Sequence, residues 1–238
     1  MESKPADHQD LQPIALSLRQ RSHLLLVLSQ PKVNREEAFL TWYRGHYLKS
    51  ISAINGVLNL RHYRQHPVDI TQGRYERLPF KYLGLYDLVV DGARRSEPII
   101  NAVAALHVKE ASVEPAATWL YYPAGERVGR PARGTADLMT VAFANSIAGR
   151  SDEFREWYVT QHIRHALNVE ALVSGQCFQR TQFQQPGALA ANYSMIAIYE
   201  QEGTPQSMIE TFKRLPEETF YFPSMDEVAF AESVYELI

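Results

Sequence analysis

The chain has 238 residues, of which 45% are apolar and 21% charged, so it carries enough apolar surface for a buried core and is not a wholly disordered polypeptide. Lys and Arg number 24 against 27 Asp and Glu, a net charge of −3, and no global basic field exists to attract nucleic acid. The single cysteine, Cys177, excludes an intramolecular disulfide and a cysteine metal cluster, and it fits a reducing, cytoplasmic setting.

Residues 1–20 are polar and read as a flexible N-terminal arm without an apolar signal core. The run Leu24 to Leu28 is far too short to span a bilayer, so no membrane partner is expected. Ser22 to Ser29 reads as a strand. A helix follows, with Asn34 as N-cap and Glu36 and Glu37 in its first turn, ending near Gly56. Phe39, Trp42, Tyr43 and His46 share its apolar side at helical spacing. Val57 to Tyr63 is strand-like, and Arg64 to Pro79 is a polar loop, either an ordinary surface loop or a cover over a cleft. Phe80 to Val90 is a strand, Pro98 to Lys109 a helix, and Thr118 to Tyr122 a short strand.

A linker rich in Gly, Pro and Arg spans 124–134. The order then recurs: strand Leu138 to Ala144, a helix from Ser151 towards Leu172, strands Gln176 to Phe183 and Tyr193 to Glu200, helix Pro205 to Leu215, and strand Val228 to Leu237. The expected architecture is α+β, two tandem ferredoxin-like β-α-β-β-α-β repeats over 21–123 and 135–238. A four-stranded sheet with helices on one face leaves the other face bare. Packing two bare faces together covers both, giving an intrachain pseudo-dimer of dimeric α/β-barrel type. Self-association into a homo-oligomer is possible but is not needed to cover the sheets.

The two halves share sequence. Phe39-x-x-Trp42-Tyr43 with His46 matches Phe154-x-x-Trp157-Tyr158 with His162. Gly56 to Arg61 pairs with Gly175 to Arg180, and Leu83 to Asp87 with Ile196 to Glu200. On that alignment Trp42 to Gly56 is four positions shorter than Trp157 to Gly175, and the second helix is expected to be about one turn longer. On these motifs the chain resembles the EthD-like branch of the dimeric α/β-barrel superfamily, as two fused copies. The resemblance implies a cleft between sheet and helices that holds a small hydrophobic molecule. Relatives include polyketide cyclases, dehydratases, cofactor-free monooxygenases, muconolactone isomerase and haem enzymes, so fold does not select the reaction. Where relatives carry histidine at either or both of two adjacent positions, this chain has His46-Tyr47 in one half and Gln161-His162 in the other. One working cleft is therefore expected rather than two.

His46 and His162 are the candidate general bases, each otherwise a core histidine hydrogen-bonded to backbone. His165 lies three residues beyond His162 and is either a helper or an exposed residue. A metal is not expected, since two histidines lack a third ligand, although Glu200 is a candidate. Arg61 and Arg180, taken as equivalent strand positions, either stabilise an enolate or pair with Asp87 and Glu200. Trp42, Tyr43, Tyr47, Trp157, Tyr158 and Tyr86 are candidate cleft-lining residues whose first role is burial. Gly84 leaves room against the sheet. His62, His66 and His107 read as surface or loop residues. No Gly-x-Gly-x-x-Gly, phosphate loop or Gly-x-Ser-x-Gly elbow occurs. The function expected is a cofactor-independent lyase, dehydratase or isomerase acting on a small aromatic or polyketide-like carbonyl compound. The alternatives are a non-catalytic binding protein and an oxygen-using or haem enzyme.

Overall fold

The computed structural model describes residues 21–130, 132–133, 137–184, 193–215 and 222–238. The expected arm, 1–20, lies outside them. The first unit contains β1 (His23–Ser29), α1 (Glu36–Trp42), a π-helical segment (Tyr43–Tyr47), α2 (Leu48–Ser52), β2 (Val57–Gln65), β3 (Tyr82–Leu88), α3 (Glu97–Lys109) and β4 (Ala117–Pro123). A two-residue strand, β5 (Val128–Gly129), falls in the expected linker. The second unit contains β6 (Leu138–Ala144), α4 (Ser151–Trp157), a π segment (Tyr158–His162), α5 (Ile163–Ala166), β7 (Leu172–Arg180), β8 (Met195–Gln201), α6 (Pro205–Phe212) and β9 (Ala231–Leu237).

Strand order is β4-β1-β3-β2-β9-β6-β8-β7-β5, and β4 also pairs with β7, so eight strands close into an antiparallel barrel. Each unit contributes four strands in the ferredoxin-like order, and the units join at β2–β9 and β4–β7. Closure removes the free sheet edges that two separate sheets would leave. Alternate residues face the interior: Leu24, Leu26 and Leu28 from β1, Leu83 and Leu85 from β3, Val141 and Phe143 from β6, Ile196 and Ile198 from β8. The opposite faces carry the helices over two further apolar clusters, one per unit.

Pairing corrects the sequence alignment of the halves. Val57 and Leu172 each face the last residue of the neighbouring strand, and both strands bulge immediately afterwards. Arg61 therefore corresponds to Gln176, and Arg180 to Gln65, so the two arginines are not equivalent. The second helix is not longer: its α-helical part ends at Ala166, and Leu172 already opens β7. Gly175 misled the alignment because it is no counterpart of Gly56, whose positive φ of 94° suits the end of a helix. A Cβ on Gly175 would stand 2.6 Å from the Tyr199 ring and 2.9 Å from Ile163. Gly84 behaves alike, since the room it leaves is taken by the Tyr86 ring, which a Cβ there would meet at 2.7 Å.

Candidate active site

The π segments decide which helix residues reach the sheet. A π turn holds one more residue than an α turn, so the inward position recurs every four residues instead of alternating threes and fours. Phe39, Tyr43, Tyr47 and Ile51 are buried, as are Phe154, Tyr158, His162 and Ala166. His46, placed on the inner stripe by an uninterrupted 3.6-residue period, is instead exposed. Its neighbour Tyr47 takes the inward place that His162 holds in the second unit.

This one difference separates the two halves. In the first unit the Tyr47 hydroxyl is 2.7 Å from that of Tyr86, and Trp42 and His107 pack on the Tyr47 ring with centroids 4.9 Å away. The Tyr43 hydroxyl is hydrogen-bonded to Nδ1 of His62. His62 and His107 are thus buried parts of this aromatic packing and not surface residues, and burial lowers them to about 3 and about 4. Strand register sets Val27 against Ala142, His62 against Cys177 and Leu120 against Val234 in the second unit. Each of these replacements, like His162 for Tyr47, is by a smaller side chain, and two of them, Ala142 and His162, line a cavity of about 250 Å³, near the lower end for small-molecule sites.

Its floor is Ala142, Tyr199 and Glu232, its helix wall His162 and Ala166, and its roof Ile70, Thr71 and Tyr75 from the β2–β3 loop. The loop is therefore a cover, the less expected of its two readings. Nδ1 of His162 and the hydroxyls of Tyr158 and Tyr199 are buried with no hydrogen-bond partner among the described residues. Such orphaned groups cost about 1–3 kcal/mol each unless something completes them. The His162 ring stacks on Tyr158, centroids 4.8 Å apart. Burial, and secondarily the charge of His165, lower His162 to about 3, so its imidazole is neutral near pH 7. Burial, with the Asp69 charge behind it, raises Glu232 to about 7. The same desolvation holds the Tyr158 and Tyr199 phenols well above their ordinary value, so both stay protonated donors.

The remaining candidates lie elsewhere. His165 is exposed, as is Arg180, and neither lines the cavity. Arg61 is buried in an ion pair, its guanidinium 2.8 and 3.1 Å from the Asp87 carboxylate, which also binds Arg21 at 2.6 Å. Glu200 is taken by Arg127 and the Ser174 hydroxyl, each at 2.8 Å. The described residues contain no cluster of three metal-ligating side chains. Trp157 is buried against Phe222, ring centroids 4.9 Å apart, and acts as wall support. Sequence reasoning missed Glu232 and Tyr199. A carboxylate on the same strand face as Val234 was the available signal for the first, and the Tyr86 match for the second.

No protein-family model matches the chain, and no curated protein matches it. Solved structures do. The chain is similar to an anthrone oxidase-like protein at TM-score 0.56 and 9% identity, over 92% of each chain. It is similar to a candidate monooxygenase of Fusobacterium nucleatum at 0.55 and 9%, over 92% of this chain and 94% of that one. A mutant chlorite dismutase of Candidatus Nitrospira defluvii gives 0.52 and 8%, over 92% of each chain. These likenesses concern the fold, which is the dimeric α/β barrel with both units in one chain. No helix among the described residues is long and apolar enough to cross a membrane.

Proposed function

We propose that the chain is an enzyme that moves a proton on a small apolar carbonyl compound within the second unit's cavity, with Glu232 as the proton-transfer group. The observation that carries this is geometric: a half-buried carboxyl, Glu232, lines a roofed apolar cavity together with the buried, unpartnered Tyr199 phenol, and desolvation there raises the carboxyl to about 7. A general acid or base works best with its pKa near the working pH, which favours Glu232 over the neutral, weakly basic His162. Ionised Glu232 takes a proton from carbon next to the substrate carbonyl. The Tyr199 hydroxyl donates a hydrogen bond to the carbonyl oxygen as it gains negative charge. His162 offers a second polar contact and no charge. Glu232 then returns the proton to another carbon, or to a departing hydroxyl, giving isomerisation or dehydration. The roof excludes water while the enolate exists.

The EthD-like kinship, the absence of any cofactor in the reaction and a small hydrophobic substrate all belong to this proposal, as does a cytoplasmic setting. No step of this reading is routed through haem. The anthrone oxidase-like neighbour suggests a further fate for the same enolate, reaction with oxygen. The test uses 2-tetralone and anthrone in deuterated water, followed by NMR and by an oxygen electrode. The wild-type protein is expected to speed deuterium entry next to the carbonyl, and Glu232→Gln to lower that rate by about 10²-fold or more. Oxygen uptake would move the assignment from isomerase or lyase to oxygenase. Tight binding of either probe without exchange would instead mark a binding protein.

A further inference from the structure

We propose that the substrate of the second unit's cavity carries a carboxylate, which Arg74 and Lys213 bind at the cavity mouth. This rests on the reading given above and narrows its substrate class to an apolar carbonyl compound with an anionic tail. Among the described residues, the charged side chains that line the cavity are Glu232, Arg74 and Lys213. They are not evenly placed. Glu232 belongs to the floor, where it faces the buried Ala142 across the β6–β9 pairing. Arg74 and Lys213 are exposed, and so mark where the cavity meets solvent. The rest of the lining is mostly apolar and includes the buried Ile70 and Met225.

Distant parts of the chain bring these two cations to one opening. Arg74 closes a turn of the β2–β3 loop. Its amide donates to the Thr71 carbonyl at 3.1 Å, and Gln72 and Gly73 before it take left-handed φ values of 54° and 81°. Its guanidinium lies over the Tyr75 ring, 5.7 Å from the centroid, and that ring packs edge-on against Phe230 at 4.7 Å. Tyr75 and Phe230 both line the cavity, so the guanidinium is seated on its wall. Lys213 follows α6, its amide donating to the Ile209 carbonyl at 3.1 Å, and Phe212 before it is part of the same wall. The carboxylate of this loop, Asp69, accepts from the Thr71 and Gly73 amides and the Thr71 hydroxyl and does not line the cavity.

Such a cavity sorts ligands by charge and by direction. An anionic group is drawn to the two cations at the mouth and kept off the floor by Glu232 whenever that carboxyl is ionised. A substrate with a carboxylate at one end therefore enters apolar body first, its carbonyl towards Glu232 and Tyr199 and its charge outward. A carboxylate suits this mouth better than a phosphate. The C-terminal end of α6 lies there, and the partial negative charge of a helix C-terminus weighs against a dianion. A carboxylate, singly charged and planar, still engages a guanidinium fork through both oxygens. Arg74 comes from the first unit, whose own cleft is filled, so that unit helps to choose the ligand of the second.

The experiment measures binding to the full chain without turnover, using 2-naphthoate and its uncharged counterpart 2-naphthamide. The wild-type protein is expected to bind 2-naphthoate about fivefold or more tightly than the amide, with nuclear Overhauser contacts from the ring protons to the Met225 methyl and the Tyr199 ring. Rising salt is expected to erode that preference. Arg74→Gln combined with Lys213→Gln is expected to abolish it while leaving the affinity for 2-naphthamide unchanged, which also shows that the variant is folded. Failure of 2-naphthoate to bind in the cavity, equal affinity for the two probes, or a preference that survives in the double variant overturns the proposal. Glu232→Gln is expected to keep the carboxylate preference while losing exchange on 2-tetralone. A protein inactive on every carbonyl probe would thus defeat the catalytic assignment and leave the preference measurable.

Discussion

Tyr47 and His162 occupy one position in two copies of a repeat, and the choice between them fixes where chemistry is possible. Tyrosine reaches across to Tyr86 and closes the space; histidine is shorter and leaves the Tyr199 hydroxyl without a partner among the described residues. That orphaned hydroxyl yields a prediction. Tyr199→Phe removes the donor while keeping the ring, so turnover of an active probe is expected to drop by about 10²-fold with little change in thermal midpoint. Equal turnover in Tyr199→Phe and wild type would remove Tyr199 from the mechanism. His162 was legible as a candidate because it sits in a repeated Phe-x-x-Trp-Tyr block. Glu232 was not, because an isolated carboxylate on a strand usually faces water, and here it is half-buried in a cavity roofed by a loop more than 150 positions earlier in the chain.

At the scale of elements, strands and helices were readable from alternation and helical spacing, while registers within them were not, and Asn34, expected as an N-cap, instead takes a left-handed φ of 59° one residue before the N-cap Arg35. Helical periodicity presupposes 3.6 residues per turn, and the π segments break it at Tyr43–Tyr47 and Tyr158–His162. This is why His46 looked inward in the sequence and faces solvent in the fold. A one-residue widening of a turn leaves no mark in composition. Glycine misled for a similar reason, since Gly56 and Gly175 look alike in sequence but serve a helix end and a close side-chain approach. Gly175→Ala is expected to destabilise the fold by about 1–3 kcal/mol by forcing the Tyr199 ring and Ile163 aside, read as a lower urea midpoint at unchanged slope. A wild-type midpoint would mean that the ring has room to move and that Gly175 is dispensable there.

Across the whole molecule, the pseudo-dimer was legible because a one-sided sheet must cover its bare face. The seams were not, because β2–β9 and β4–β7 join segments far apart in the chain. The buried histidines give the barrel a characteristic response to acid. His62, His107 and His162 are held at about 3, 4 and 3, against 6.5 when unfolded. The unfolded chain therefore binds more protons below pH 6.5, and stability is full above that value and declines as pH falls towards 3. Glu232 acts in the opposite sense, since its raised value lets the folded state bind the extra proton between 4.5 and about 7. Three groups against one set the sign, so the thermal midpoint is expected to fall between pH 6.5 and 4.5. A midpoint that is flat or rises over that range would show these imidazoles to be solvated.

That the second unit holds the working cavity, with Glu232 as its proton carrier, is tested most directly by deuterium exchange into 2-tetralone with two variants side by side. Glu232→Gln is expected to lose the exchange, and His46→Ala, altered only on the solvent side of the first helix, to keep the full wild-type rate. Exchange that survives in Glu232→Gln and disappears in His46→Ala would contradict the account.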